Sequence, residues 1–358
     1  MEKHVIEFLT QYGLFLAKTA TLVVAILLVV VLIFSLASRR RQHQTEGHIE
    51  VKCLNDKYKD LYEALEENVI DEELLRQRIK DERKQEKAEA KARRKAAKKG
   101  ELEEEDKKRI YVIDFDGDMS ASASDQLREE ITAILSIARA DKDEVVINLE
   151  SPGGMVHAYG FAASQLERLR RKEIQLTICV DKVAASGGYM MACIGNHIIA
   201  APFAVIGSIG VVAQLPNFHR LLKKHEIDYE VLTAGEYKRT LTVFGQNTDK
   251  GREKFVEELE ETHQLFKDFV QEYRPSLDIS KVATGEIWYG RQALKQGLVD
   301  SIMTSDEYLT EAANDADLFK VSYQYKKGLQ DRLGELAADS SDKLLLRWWQ
   351  RLGQRPFM

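Results

Sequence analysis

Glu144-Val-Val-Ile-Asn-Leu149, broken by Ser151-Pro-Gly-Gly154, is the stretch that decides the fold. A short continuous apolar run bounded by turn residues reads as a buried strand. A helix follows through about Arg171, with Phe161, Ala162, Leu166 and Leu169 on one face, and Gln175 to Val180 reads as the next strand. Upstream, Ile110-Tyr-Val-Ile-Asp-Phe115 alternates toward a strand and is followed by Gly117. Ser124 to Ala138 has helical spacing in Leu127, Ile131, Ile134, Leu135 and Ile137. Asp125 near its start suits a helix N-terminus, where negative charge is favoured. Strands alternating with helices imply an α/β domain with much parallel pairing.

Further on, Val183 to Leu215 is long and apolar, but Asn196, His197 and Pro202 interrupt it and Gly187, Gly188, Gly195, Gly207 and Gly210 punctuate it. It reads as a helix, a strand and tight turns in a protein core rather than as a membrane span. Lys254 to Tyr273 is an amphipathic helix. After Ser322 the chain turns polar and ends in Leu344-Leu-Leu-Arg-Trp-Trp349 and basic residues. That tail reads as a terminal helix packed on the domain, with contact to a membrane surface or a partner as the alternative.

The N-terminal third has another texture. Thr19 to Ala37 carries no charge, is rich in Val, Leu and Ile, and is stopped by Arg39, Arg40 and Arg41. This approaches the roughly 20 residues that cross a bilayer core. The other reading is a cleaved signal peptide, with Ser35-Leu36-Ala37 as a loose cleavage site. The apolar run exceeds a typical h-region of about 7–15 residues, and arginines follow at once, so the anchor reading is preferred. By the positive-inside rule the arginines put the rest of the chain on the cytoplasmic side. Between Arg39 and Arg109 the chain is heavily charged, and Tyr58, Leu61, Tyr62 and Leu65 recur at helical spacing. Arg83 to Lys99 is basic and is followed by Glu101, Glu103, Glu104, Glu105 and Asp106. Such blocks read as a solvated helix or spacer, with attraction to anionic lipid head groups as the functional alternative. The expected division is an anchor (1–38), a charged helical linker (39–109), an α/β domain (110–320) and a C-terminal extension (321–358).

The chain has 358 residues, is 44% hydrophobic and 31% charged, and carries a net charge of −6. That charge argues against a nucleic-acid partner. Cys53, Cys179 and Cys193 have no metal spacing; the last two sit in apolar surroundings and read as buried small hydrophobes. No cofactor and no metal is expected.

Chemistry concentrates in Ala184-Ala-Ser-Gly-Gly-Tyr189 and Gly235-Glu-Tyr-Lys-Arg-Thr240. A serine hydroxyl is a weak nucleophile until a base takes its proton, and a neutral lysine amine is one such base. Ser186 stands after a strand and turn, where a helix should begin, and Gly187 and Gly188 allow close backbone approach. If the strand ending at Ser151-Pro-Gly-Gly154 neighbours the one before Ser186, its glycine N–H groups can receive an oxyanion. A free lysine titrates near about 10.4. Lys238 therefore needs burial or a nearby positive charge to act as base; Tyr237, Leu241, Val243 and Phe244 supply apolar bulk, and the alternative is an ordinary surface lysine. His157 reads as a solvent-facing helix residue and His197 as part of a core strand, so no histidine base is evident.

Together with Ile206-Gly-Ser-Ile-Gly-Val211, these motifs resemble the signal peptide peptidase A family of membrane-associated serine proteases. The charged segment before the domain and Tyr237-Lys-Arg-Thr-Leu-Thr-Val-Phe-Gly245 are similar to its SohB-type branch. The resemblance covers essentially the whole chain. It implies an α/β fold of ClpP/crotonase-like repeated β-β-α units after an N-terminal transmembrane helix and charged helical segment. It implies peptide-bond hydrolysis by a Ser-Lys dyad, with Ser186 as nucleophile, Lys238 as general base and Ser208 orienting the lysine. Oxyanion donation falls on Gly153, with Gly154 and Gly187 close by. Gly290, Ala293, Gly297, Leu298, Val299 and Asp300 match a late structural motif. Partners implied are peptide or protein substrates, membrane lipid and further copies of the chain. The family's catalytic part generally lies outside the cytoplasm, against the arginine flank; a bacterial inner-membrane protein with a periplasmic domain is the expectation carried forward. Related enzymes continue after the lysine with small residues and proline, whereas Arg239-Thr-Leu-Thr follows here. Two other functions stay open at this point, an acyl-CoA enzyme of the crotonase type and a membrane scaffold with a silent protease-like domain.

Overall fold

The computed structural model describes residues 11–25, 47–71 and 107–325, with scattered positions between 73 and 95. Residues 11–25 are helical. Among the described residues no helix is long and apolar enough to cross a membrane. Residues 26–37 of the expected span and the tail from 326 onward lie outside the described residues.

Residues 49–323 form a mixed α/β unit. Its elements begin with β1 (Gly47–Cys53), α1 (Leu54–Val69), β2 (Lys108–Asp116) and α2 (Ser124–Leu135). The series β3 (Glu144–Glu150), α3 (Val156–Arg171), β4 (Gln175–Val180), β5 (Val183–Ala185) and α4 (Gly187–Ala192) carries most of the site. Then come β6 (His197–Ala200), β7 (Val205–Gly207), α5 (His219–Lys224), α6 (Asp249–Tyr273) and α7 (Ile279–Val282). β8 (Ile287–Tyr289), α8 (Gly290–Gln296), β9 (Ser301–Ile302), α9 (Ser305–Ala312) and β10 (Ala316–Tyr325) complete it.

The main sheet has the order β1-β10-β2-β3-β4-β6-β9. β10, β2, β3, β4, β6 and β9 pair in parallel. A smaller sheet joins β5 and β7 in parallel and β7 and β8 antiparallel. The chain leaves the main sheet at the end of β4 for β5, returns in β6 and leaves again in β7. Parallel strands covered on both faces read as near-continuous apolar runs, as β2 and β3 do. Alternate side chains then enter different cores. Tyr111, Ile113 and Phe115 pack with Ile131 and Leu166 in one cluster. Ile110 and Val112 pack with Val146, Cys179 and Leu318 in the other.

The start of the expected linker is built into this unit. Leu54 is buried in the second cluster, and Asn55 hydrogen-bonds the carbonyls of Ala313 and Ala316 and the N–H of Leu318. α1 is helical as the spacing predicts, yet Leu61, Tyr62 and Leu65 are exposed; the helix docks through its first turns. α2 stops at Leu135, although Ala138 N–H still bonds the Ile134 carbonyl at 2.9 Å. α6 starts at Asp249, ahead of the apolar spacing, because the Thr248 side chain accepts the Gly251 N–H and caps it. The apolar stretch from Val183 holds β5, α4, β6 and β7, core elements rather than a span.

Candidate active site

Ser186 joins β5 to α4 with φ 52° and ψ −117°. Such a backbone costs a non-glycine residue on the order of 1–3 kcal/mol and persists only where the surroundings hold it. Here they do. Ser186 N–H donates to the Gly207 carbonyl at 2.7 Å, and Ala185 N–H donates to the Ser151 carbonyl at 3.0 Å. Ser151 itself pairs with Ala184 as a parallel bridge. The end of β3 is thereby stitched to the strand that carries Ser186, as the motif reading requires.

Gly153 lies against this turn. A Cβ there would sit 2.6 Å from the Ala185 carbonyl oxygen and 2.7 Å from Ser186 Cβ, and its φ is +88°. Its N–H donates to Ser151 Oγ at 3.1 Å. Ser151 Oγ lies 2.6 Å from Tyr159 Oη, which donates to the Asp118 carbonyl at 2.7 Å. Burial pushes the Tyr159 phenol above the usual tyrosine range. Among the described residues no hydrogen bond claims the N–H of Gly154 or of Gly187. The expected donors thus differ: two N–H groups are unclaimed, and the Gly153 N–H is engaged with Ser151. The sequence by itself does not assign Ser151 or Tyr159 to this network. Nothing local marks Tyr159, whose role rests on meeting residues from three other segments.

Ser208 is close by along β7. It follows Gly207, the residue that accepts the Ser186 N–H, has φ 51°, and donates its own N–H to the Glu286 carbonyl at 2.7 Å. Lys238 is different. It is exposed, in a turn closed by its N–H to the Gly235 carbonyl at 3.2 Å. No hydrogen bond or ion pair joins its amine to Ser186 or Ser208 among the described residues. The apolar bulk expected around it is directed elsewhere. Phe244 packs on Phe218 and Tyr229, and the Tyr237 ring faces Lys250 and Lys254. The arm that carries Lys238, residues 212–247, is tied down at its base, where Asn217 donates to the Thr242 and Gly245 carbonyls at 2.9 and 3.0 Å. Several of its apolar side chains face solvent, Val212 at 80% and Leu232 at 91% exposure.

His157 is exposed on α3, and His197 at the start of β6 meets Ser301 Oγ at 3.0 Å; among the described residues no hydrogen bond joins either to Ser186. Cys179 and Cys193 are buried, and burial pushes both thiols up. Among the described residues no group of His, Cys, Asp and Glu is arranged to hold a metal ion. Gly290 and Ala293 are buried on α8, and Asp300 accepts the Ile198 N–H and pairs with Arg274. These contacts make the late motif part of the packing.

Two family models cover most of the chain, "Peptidase family S49 N-terminal" at residues 7–166 and "Peptidase family S49" at residues 168–319. The chain is 53% identical over 345 residues to "Probable protease SohB" of Haemophilus influenzae, covering 96% of each. It is 50% identical over 341 residues to "Probable protease SohB" of Buchnera aphidicola subsp. Acyrthosiphon pisum, covering 95% of this chain and 97% of that one. Among solved structures, the "1510-N membrane-bound stomatin-specific protease" S97A mutant aligns at a TM-score of 0.37 and 17% identity, covering 57% of this chain and 84% of that one. Its K138A mutant in complex with a substrate peptide aligns at 0.39 and 15%, covering 65% and 99%. The motif set, the mixed α/β fold and the full-length likenesses to the SohB proteins place the chain in peptidase family S49, as a SohB-type member.

Proposed function

We propose that this peptidase is a serine endopeptidase using a Ser186–Lys238 dyad. The observation that carries the reading is the strained Ser186 turn, pinned to Gly207 and Ser151 with the unclaimed N–H of Gly187 beside the nucleophile. Peptide-bond hydrolysis then starts with a proton transfer. The neutral Lys238 amine takes the Ser186 hydroxyl proton while Oγ attacks the scissile carbonyl carbon. The oxyanion is received by Gly187 and Gly154, with Gly153 sharing its N–H between Ser151 Oγ and the developing charge. One such donor is worth about 3–4 kcal/mol in other enzymes. Collapse breaks the C–N bond, and the Lys238 ammonium protonates the leaving amine. Water, deprotonated by the same amine, releases the acyl group and restores Ser186. Ser208 Oγ accepts a hydrogen bond from the amine and orients it.

An exposed Lys238 has to be brought to Ser186 and desolvated. Closure of its arm or cover from a second copy does this, and the arm's solvent-facing apolar residues favour burial on assembly. The alternation of the chain between two sheets supports a ClpP/crotonase-like fold. The uncharged Thr19–Ala37 stretch supports an inner-membrane anchor with peptides near the bilayer as substrates, and the family resemblance, against the Arg39–Arg41 flank, supports the periplasmic side for the catalytic part. On this reading residues 1–38 anchor, 39–109 link, 110–320 catalyse and 321–358 extend the chain, with lipid and further copies as partners. The test is hydrolysis of a peptide library by Ser186→Ala and Lys238→Ala, each checked for an intact fold. Both variants are expected to lose activity; full turnover by either refutes the dyad.

A further inference from the structure

We infer that Tyr159 is a positioning residue of the site, acting through Ser151 on the turn that receives the oxyanion; the inference rests on Ser186 being the nucleophile. Tyr159 and Ser151 are both fully buried. The direction of their hydrogen bonds is forced. The Asp118 carbonyl has no proton to give, so the Tyr159 hydroxyl donates to it. The Ser151 hydroxyl must therefore donate to Tyr159 Oη. That leaves a Ser151 Oγ lone pair for the Gly153 N–H. A single one-way chain runs from the Gly153 amide through Ser151 and Tyr159 to the Asp118 carbonyl. Buried chains of this kind strengthen each member and fix one orientation.

The chain sets the plane of the Pro152–Gly153 peptide, and so the direction in which the Gly153 N–H points, at the start of the turn that also carries Gly154. The same aromatic ring supports the other donor. A Cβ on Gly187 would lie 2.4 Å from Tyr159 Cγ, so the ring packs directly under the backbone that follows Ser186. One side chain thus braces both turns, through Ser151 on one side and under Gly187 on the other. Its phenol end holds the first turn and its ring face holds the second.

Tyr159→Phe removes only Oη and keeps the ring beneath Gly187. In the full-length, detergent-solubilised enzyme, kcat per fluorophosphonate-labelled site is expected to fall between about tenfold and a hundredfold, below the loss for deleting a donor outright. KM should stay within about threefold. Affinity for a peptide boronate, whose tetrahedral adduct presents the oxyanion, should fall by the same factor as kcat/KM. Ser151→Ala cuts the same chain, so the double variant should lose no more than the larger single loss. A residue that only helped folding would lower the number of labelled sites and leave kcat per site and boronate affinity unchanged. That result, or losses that multiply in the double variant, overturns the inference alone. Full hydrolysis by Ser186→Ala overturns the dyad and this inference together.

Discussion

Replacing Glu130 by Gln should stabilise the protein at alkaline pH and leave it almost unchanged in acid. Glu130 sits on α2 with 6% of its surface exposed. Burial pushes its carboxyl from 4.5 to about 7; the Tyr323 N–H bond opposes this, and the charge of Asp114 adds to it. Over that interval the folded chain holds a proton that the unfolded chain has released. Stability therefore falls as pH rises from 4.5 to about 7, and the penalty is complete above that. At about 1.4 kcal/mol per pH unit, the full penalty is about 3 kcal/mol. Relaxation and water entry around an ionised carboxylate reduce the recoverable part to about 2 kcal/mol. Gln keeps an oxygen to accept the Tyr323 N–H, now at 2.8 Å from Glu130 Oε1, and never ionises. Urea unfolding of the full-length protein in detergent, followed by circular dichroism, gives the comparison at pH 8 and pH 4.5. A gain near 2 kcal/mol at pH 8 that vanishes at pH 4.5 is the expected result. Equal stability at pH 8, or the same gain at both pH values, would refute the reasoning.

Gly153→Ala should lower kcat/KM by about a hundredfold, the scale set by displacing a reacting group about 1 Å. Its Cβ would fall 2.7 Å from both the Gly187 nitrogen and Ser186 Cβ. Peptide hydrolysis measured beside a folding control tests this, and wild-type turnover would show that the Ser186 turn tolerates the group. Asn55→Ala should cost about 2–4 kcal/mol, because two carbonyls and one N–H lose their partner together. Denaturant unfolding that finds less than about 0.5 kcal/mol would mean that α1 adds little to the domain.

Several elements were legible from local pattern. β4 spans the residues its apolar run predicts, Gln175–Val180, and β3 extends its run by one residue to Glu150. Both strands are buried, so burial wrote itself into composition. The Ala-Ser-Gly-Gly motif was legible because the backbone there must approach Ser151 and Tyr159 closely. A Cβ on Gly188 would meet the Ser151 carbonyl oxygen at 2.5 Å. The exposed apolar face of α1 was not legible, since helical spacing reports a face and not what covers it. Nor was the environment of Lys238: apolar neighbours in sequence suggested burial, but Phe244 turns to Phe218 and Tyr229.

The amino-acid order by itself determined where strands and helices alternate and which serine stands in a glycine-lined turn, because hydrophobic period and freedom from a Cβ act within a few residues. Only the tertiary structure decided that the Gly153 N–H is held by Ser151, that Tyr159 braces both turns, and that Lys238 is exposed to solvent in the single chain. Each of those depends on hydrogen-bond partners and packing faces contributed by segments far apart along the chain, and no local propensity encodes them.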